Sequence, residues 1–480
     1  MLTCLTVAAQ EPDSLFVGIH QAESQYYSRV FDTATLRAVA SPVTPATLKS
    51  RKNGEPAFMV YGWHPYWAGN TAYLDYDYSV LTHIAWFSYE VDTATGLYTT
   101  LRGWDITPVI DHAHQQGVRV MLTVTNFGSA RNSALLTDTV KQWNLINELV
   151  YQLKKRNGDG VNFDFETVPA SMKSNMASFC RRAVRGIKAE LPNAEISLAT
   201  PAVNWSDAWD LKALAEICDY LIMMGYNYYW SGSSTAGPVA PLRGENYNIT
   251  RSIQEDYLDA GVPASKLLLG MPWYGYDWPV TGSSRKAGTT GSGSSRTYIA
   301  TIPMVNAYGK KFDNDTDVPW MSYQKDAQWR QMWFEDSLSL LLKTDFAKKR
   351  DLAGVGIWAL SYEAGRPELW NGMKAVIEGT VSSDGSPAMP GTGGSGILNI
   401  IPNPVKDKAL VSCYISRPCT ITITIYDQDG RVVEVTEKAS LPPGIMTSEI
   451  DAGKLAPGIY FCVLNTGEGR SVRKFAVAGN

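Results

Sequence analysis

Eight short apolar runs recur between residues 58 and 360: FMVYGW (58–63), LTHIAWFS (81–88), VRVMLTVT (118–125), GVNFDFE (160–166), AEISLAT (194–200), YLIMMGY (220–226), KLLLGMPW (266–273) and AGVGIWAL (353–360). They are rich in β-branched and aromatic residues and nearly continuous in hydrophobicity, the pattern of strands covered on both faces. Between them lie helix-like stretches such as DITPVIDHAHQQG, TVKQWNLINELVYQLKKRNG, MKSNMASFCRRAVRGIKAELPN, NITRSIQEDYLDAG and SLSLLLKTDFAKKRD, several closing on Gly as helix C-termini do. Eight strands alternating with helices predict the α/β class and a closed (β/α)8 barrel of TIM type, whose site lies at the C-terminal strand ends. The competing open, doubly wound sheet would carry a Gly-rich phosphate turn after its first strand, and none stands there.

At 480 residues the chain is longer than such a barrel needs. Between the seventh and eighth strands it makes a detour: TGSSRKAGTTGSGSS predicts a mobile loop, and YIATIPMVNAYGKKF and VPWMSYQKDAQWRQMWFED predict a helix and a hairpin. This places a small α+β insertion at about residues 281–336, beside the barrel mouth, within a barrel spanning residues 57–378. Residues 379–396 have the Gly/Ser/Pro composition of a flexible linker. Beyond them, CTITITIYDQDGRVVEVTEK and APGIYFCVLNTGEGRSVRKFAV alternate apolar with polar residues around turns, which predicts a C-terminal β-sandwich over 397–480. Residues 1–56 form an N-terminal extension whose opening, MLTCLTVAAQ, reads either as the remnant of an export signal or as a buried strand.

Composition narrows the function. The 43 Lys and Arg against 47 Asp and Glu leave no basic block able to neutralise a row of phosphates, so nucleic acid is not an expected partner. No apolar run reaches the roughly 20 residues of a membrane span. Six cysteines stand without CxxC pairs, so neither a zinc site nor a disulfide framework can be read from them. The 15 Trp, 25 Tyr and 13 Phe suit both a large core and surfaces that stack on sugars.

The stretch GDGVNFDFETVP (158–169) puts Asp159, Asp164 and Glu166 into an otherwise apolar segment. On a strand, Asn162, Asp164 and Glu166 share one face and Val161, Phe163 and Phe165 the other, so the polar set lines the barrel interior with Glu166 nearest its rim. Carboxyls two residues apart on one face lie roughly 6–7 Å apart, close enough for each to raise the cost of ionising the other. That keeps Glu166 available as a general acid near neutral pH. The same residues could instead form a structural hydrogen-bond network. With no His nearby in sequence, a metal site is disfavoured, and neither a metal nor a cofactor is expected.

These residues resemble the DGxDxDxE signature of glycoside hydrolase family 18, the chitinases and related endo-β-N-acetylglucosaminidases, with Asp159, Asn162, Asp164 and Glu166 at the signature positions. VYGWHPYW, LTHIAWFS, MMGYNYYW, GMPWYG and GVGIWALSYE resemble the family's segments in the same order, so the likeness covers about residues 57–378. Three features depart from it: Asn162 replaces the usual first inner Asp, Asn227 replaces the Asp of the strand-six Tyr-Asp pair, and VMLTVTNFG lacks the common SxGG. The first and last of these are similar to the spore-cortex and cell-wall lytic subgroup.

The resemblance implies a retaining, substrate-assisted hydrolase of β-1,4-linked N-acetylglucosamine glycans, with chitin, peptidoglycan and N-glycans as the candidate polymers. Glu166 is then the acid, Asp164 orients the sugar's acetamide N–H and Tyr226 holds its oxygen. Asn162, which keeps a hydrogen bond to Asp164, joins Met224, Asn227 and Trp358 among the substrate-binding candidates. Trp63, Tyr66, Trp273 and Tyr274 fit sugar contact and core packing equally well. A catalytically silent glycan-binding protein is the rival reading. The tail segments IIPNPVKDKALV, TITIYDQDGRVV and LAPGIYFCVLNTGEGRSVRKFAV resemble the C-terminal sorting domain of the Bacteroidetes type IX secretion system. That likeness implies the secretion machinery as a partner and a protein that is secreted or held at the cell surface; a monomer is the expected state.

Overall fold

A computed structural model of the chain describes residues 17–31, 45–50, 57–378 apart from residue 70, and 395–478 apart from 429 and 468. The expected export-signal remnant (1–10) and all but the last two residues of the expected linker lie outside the described residues.

Eight parallel strands close into a barrel: β1 (Met59–Pro65), β2 (His83–Val91), β3 (Arg119–Phe127), β4 (Gly160–Glu166), β5 (Glu195–Pro201), β6 (Tyr220–Met224), β7 (Leu267–Pro272) and β8 (Gly354–Trp358). Each pairs with its sequence neighbours, and β8 closes the ring on β1 with Met59 opposite Gly354 and Gly62 opposite Ile357. Every residue of β4 is buried, as expected for a strand with helices on one side and a packed interior on the other. Its alternation falls as the sequence predicts: the rings of Phe163 and Phe165 lie 5.1 and 5.4 Å from that of Phe179, on the outer helix α3 (Lys173–Glu190). Gly160 opens β4 against β5 so closely that a Cβ there would stand 1.9 Å from the Glu195 carbonyl oxygen.

The outer helices start and stop on local signals. Helix α2 (Thr139–Arg156) is capped by Asp138, whose carboxylate accepts from the amides of Val140 and Lys141. It ends on Asn157 in the left-handed region, with Lys154, Lys155 and Arg156 in its last turn to complement the helix dipole. Helix α4 (Ser337–Lys349) begins with a capping box between Asp336 and Ser339, and α5 (Glu368–Ile377) closes the barrel.

Between β7 and β8 stands an antiparallel sheet of five strands, in the order Ser294–Thr297, Tyr274–Pro279, Gln328–Trp333, Val318–Lys325, Lys311–Asp313, with a helix over Tyr298–Tyr308. Its second strand begins at Tyr274, one residue beyond Trp273, so the excursion also uses chain before residue 281. The Gly/Ser-rich stretch is tied at both sides: Thr289 bridges Val280, and Arg285 forks onto Asp313 with contacts of 2.9 and 2.7 Å.

The C-terminal residues form two antiparallel sheets. One orders Gly396–Ile401, Lys408–Ile415 and Gly444–Asp451; the other orders Val432–Leu441, Cys419–Asp427, Gly458–Thr466 and Gly469–Val477. They enclose their own apolar core, which includes Ile400, Val411, Ile423, Leu464 and Phe475. A second apolar cluster joins this unit to the barrel, bringing Leu398, Tyr414 and Ile445 onto Leu338, Leu341 and Val376 of α4 and α5. There the Tyr414 hydroxyl donates to Asp336 at 3.1 Å.

Candidate active site

Glu166 ends β4, Asp164 lies two residues earlier on the same inward face, and Tyr226 follows β6, so the barrel brings the three together at its C-terminal mouth. The Glu166 main chain is held from β3's side: its carbonyl oxygen accepts from the Asn132 side chain at 2.7 Å, and Asn132 in turn accepts from Asn126 at 3.0 Å. Burial, and next the charge of Asp164, push the Glu166 carboxyl well above the usual carboxylate range. Glu166 Oε1 and Asp164 Oδ1 are buried without a hydrogen-bond partner among the described residues. Buried oxygens in that state are costly, and at a cleft they are positions where an incoming donor is welcome. Burial also holds the Tyr226 hydroxyl in its protonated, donating form.

Asn162 does not hydrogen-bond Asp164. The indole of Trp63 donates to its Oδ1 at 2.9 Å, and its Nδ2 donates to the Ser197 hydroxyl at 3.0 Å. An indole can only donate, which fixes the direction of the amide and spends it on β1 and β5. Asp159, the first acidic residue of the motif, sits at the opposite end of β4, where its carboxylate accepts from His114 and from the Val120 amide.

The other candidates divide. Trp358 ends β8 inside the mouth, with its ring 6.1 Å from that of Trp63 and 4.9 Å from that of Phe87. The Tyr274 hydroxyl donates to Asn227 Oδ1 at 2.6 Å, and Asn227 takes a left-handed backbone at φ 60°, a region Asn tolerates. Met224 ends β6 partly buried. Tyr66 is buried under Phe31, with the Arg102 guanidinium 4.6 Å from its ring centre. Trp273 packs edge-on against Trp370 of α5 at 4.8 Å, which is its core alternative.

The site also contains residues that the sequence motif does not announce. Helix α1 (Ile19–Val30) lies in the mouth of the barrel. His20 stands 144 residues from Asp164 in sequence, yet its Nδ1 lies 2.7 Å from Asp164 Oδ2 and its Nε2 lies 2.7 Å from the Tyr226 hydroxyl. An ionised carboxylate only accepts, which puts a proton on Nδ1; in the neutral ring Nε2 then accepts from Tyr226. The imidazole stacks on Trp358 with ring centres 3.6 Å apart. One turn on, Glu23 Oε2 accepts from Trp358 Nε1 at 2.9 Å and from the Tyr362 hydroxyl at 2.6 Å. Tyr27 stacks on Trp67 at 4.6 Å. The only trace of this arrangement in the sequence is the spacing of His20, Glu23 and Tyr27, which puts them on one helical face.

His20, Asp164 and Glu166 bring potential ligand atoms within 4.8 Å of one another, a set able to hold a metal ion. As they stand, the 2.7 Å approach of His20 to Asp164 has the length of a charge-assisted hydrogen bond, and both imidazole nitrogens are engaged. Among the described residues, no helix is long and apolar enough to cross a membrane.

Residues 58–363 match the family described as Glycosyl hydrolases family 18, and residues 399–478 match the Secretion system C-terminal sorting domain. The cortical fragment-lytic enzyme of Bacillus subtilis (strain 168) is 26% identical over 305 residues, covering 60% of this chain and 66% of that protein's length. The di-N-acetylchitobiase of Rattus norvegicus is 27% identical over 320 residues, covering 60% of this chain and 79% of that protein. Catalytic domain 2 of the Ostrinia furnacalis Group II chitinase superposes with a TM-score of 0.60 at 19% identity, over 67% of this chain and 97% of its own. A family 18 chitinase from Cycas revoluta solved with (GlcNAc)3 gives 0.58 at 18% identity, over 66% of this chain and 97% of its own. The chain therefore belongs to family 18 of the glycosyl hydrolases, and it carries a C-terminal sorting domain that marks it for secretion or attachment to the cell surface.

Proposed function

We propose that the protein is a retaining hydrolase of β-1,4-linked N-acetylglucosamine glycans, acting on chitin or chitooligosaccharides. The observation that carries this reading is the convergence of Asp164 Oδ2 and the Tyr226 hydroxyl, both 2.7 Å from one small planar group, beside a carboxyl held protonated by burial. An acceptor and a donor so placed suit the N–H and the carbonyl oxygen of a 2-acetamido group.

In the first step the acetamide oxygen bonds to the sugar's own anomeric carbon while the bond to the leaving oxygen breaks and takes the Glu166 proton. Asp164 accepts from the acetamide N–H and offsets the positive charge that develops, and Tyr226 donates to the acetamide oxygen. In the second step Glu166 takes a proton from water, whose oxygen attacks the anomeric carbon from the face the leaving group left while the bond from that carbon to the acetamide oxygen breaks and restores the acetamide, so configuration is retained. Trp358 supplies the floor on which the sugar ring rests, with Trp63 and Asn162 behind it; Met224, Asn227 and Tyr274 line the side.

The likeness to a cortical fragment-lytic enzyme favours a second reading, in which the N-acetylglucosamine belongs to peptidoglycan. A high-mannose N-glycan core carries the same sugar, and a silent glycan-binding role would leave binding without turnover. Product analysis on chitooligosaccharides, peptidoglycan and high-mannose N-glycans side by side separates these. Glu166→Gln should retain binding and lose about 10²-fold to 10⁴-fold in turnover. Turnover within a few-fold of the parent would move the acid to another residue.

A further inference from the structure

We propose that residues 18–27 are an intramolecular pseudosubstrate, in which the His20 imidazole takes the place of the sugar's 2-acetamido group and α1 keeps the cleft closed until it is displaced. The proposal rests on the reading of Asp164 and Tyr226 as the acetamide's partners.

Chemical equivalence is the first support. The two ring nitrogens of an imidazole are joined through one sp² carbon, as the nitrogen and oxygen of an acetamide are joined through the carbonyl carbon. With its proton on Nδ1, His20 offers Asp164 a donor and Tyr226 an acceptor, the same pair in the same order as N–H and C=O. Its ring also lies on Trp358 at 3.6 Å between centres, where the proposal for function puts the sugar.

Exclusion is the second. The chain entering α1 passes so close to the acid that a Cβ on Gly18 would stand 1.9 Å from Glu166 Oε2. With Gly18 there, no glycosidic oxygen can reach that carboxyl. Glu23 closes the other side by engaging Trp358 and Tyr362, and Tyr27 covers Trp67.

The third is that α1 is held by the cleft more than by itself. It has 12 residues and no side-chain N-cap, a length at which isolated helices are marginal in water. Docking is therefore an equilibrium that a competing ligand can shift, and the apparent affinity for substrate falls by the fraction of molecules in which the cleft is open.

The test uses the full chain in three forms: the parent, His20→Ala/Glu23→Ala, which removes the mimic, and Gly18→Leu, which keeps both residues but fills the space beside Glu166. Hydrogen exchange of residues 19–30 reports docking, calorimetry reports binding of the N-acetylglucosamine tetramer, and hydrolysis of that tetramer reports activity. The expected result is a protected α1 in the parent, loss of protection in both variants, and tetramer binding and kcat/KM at least tenfold higher in both. An α1 that exchanges at unprotected rates in the parent, or three forms that bind and hydrolyse alike, overturns the proposal. Release of α1 without any gain in tetramer binding also overturns it, since the helix would then cover a site for some other ligand. Tighter binding in the variants with hydrolysis by none leaves the pseudosubstrate standing and removes the hydrolase reading instead.

Discussion

Trp63 donates its indole N–H to Asn162 Oδ1 at 2.9 Å, and through that bond β1 decides what the neighbour of Asp164 can do. Because the amide is spent on Trp63 and Ser197, it neither bonds Asp164 nor carries charge. Asn162→Asp would keep an acceptor for the indole, replace the donor to the Ser197 hydroxyl by an acceptor from it, and add a third buried carboxyl to the face that carries Asp164 and Glu166. Like-charge repulsion then raises the cost of ionising Asp164. The acidic limb of the kcat profile should move toward neutral pH, with little effect on binding. Profiles recorded on one soluble oligosaccharide with His20→Ala present in both proteins check this, and superimposable curves would make Asn162 a spacer only.

Tyr226 has two roles that oppose each other in a mutant. Tyr226→Phe removes a hydrogen bond to His20, worth roughly 0.5–1.5 kcal/mol, and so loosens α1. It also removes the donor proposed for the acetamide oxygen. In the Gly18→Leu background only the second effect remains, so kcat/KM should fall by about 10²-fold there and by less in the parent. Steady-state kinetics on the four proteins of this cycle give the coupling, and equal losses in the two backgrounds would separate Tyr226 from α1.

The pair formed by Lys343 and Glu335, at 2.7 Å, is almost wholly buried. Burial pushes the Glu335 carboxyl up to about 7 even with the lysine beside it. Lys343→Met leaves that carboxyl without its cation, which should cost about 3–5 kcal/mol of stability above pH 7. As a carboxyl with a raised pKa, Glu335 penalises the folded state least when it is protonated. The gap between variant and parent in denaturant midpoint should therefore narrow as pH falls from about 9 to about 7, because losing the cation raises the carboxyl further and below about 7 it is protonated in both folded proteins. A constant gap across that range would assign the loss to packing.

Much of the catalytic end of the barrel was legible because strand alternation is local: once GVNFDFE is a strand, Phe163 and Phe165 must face α3, and Asp164 and Glu166 must face inward. The start of the excursion after β7 was not, since LLLGMPWYGYDWP is one apolar run that splits at Trp273 only because Tyr274–Pro279 finds antiparallel partners about 20 and about 50 residues away. The partners of Asn162 come from β1 and β5, and no feature within β4 announces them. His20 and Glu23 were invisible for the same reason at longer range. Their helix carries no motif, and its role exists only where the cleft supplies Asp164, Tyr226, Trp358 and Tyr362.

Glu23 offers a way to read docking through pH. In the cleft, burial raises its carboxyl from 4.5 to about 7, against the smaller opposing effect of its bonds from Tyr362 and Trp358. When α1 is displaced, the side chain returns to water and to the ordinary value. Between these limits the docked state holds a proton that the free state lacks. Docking is thus strongest below about 4.5, weakens as pH rises to about 7, and is constant beyond, with the whole change on the order of 10²-fold. The hydroxyls of Tyr27, Tyr226, Tyr274, Tyr276 and Tyr362 face the same space and stay protonated throughout, each raised above 10 by burial. His20, Asp164 and Glu166 are common to parent and variant, so their titration cancels in a ratio. Glu23→Gln keeps an acceptor for Tyr362 and Trp358 without an ionisable group, and imitates the protonated side chain at every pH. Parent and variant should match below pH 4.5, and the variant should be at least tenfold less active above pH 7, where only the parent has lost part of its docking. The measurement is the ratio of their kcat/KM values from pH 4 to 9, and a ratio that stays flat would mean that Glu23 does not control the opening of the cleft.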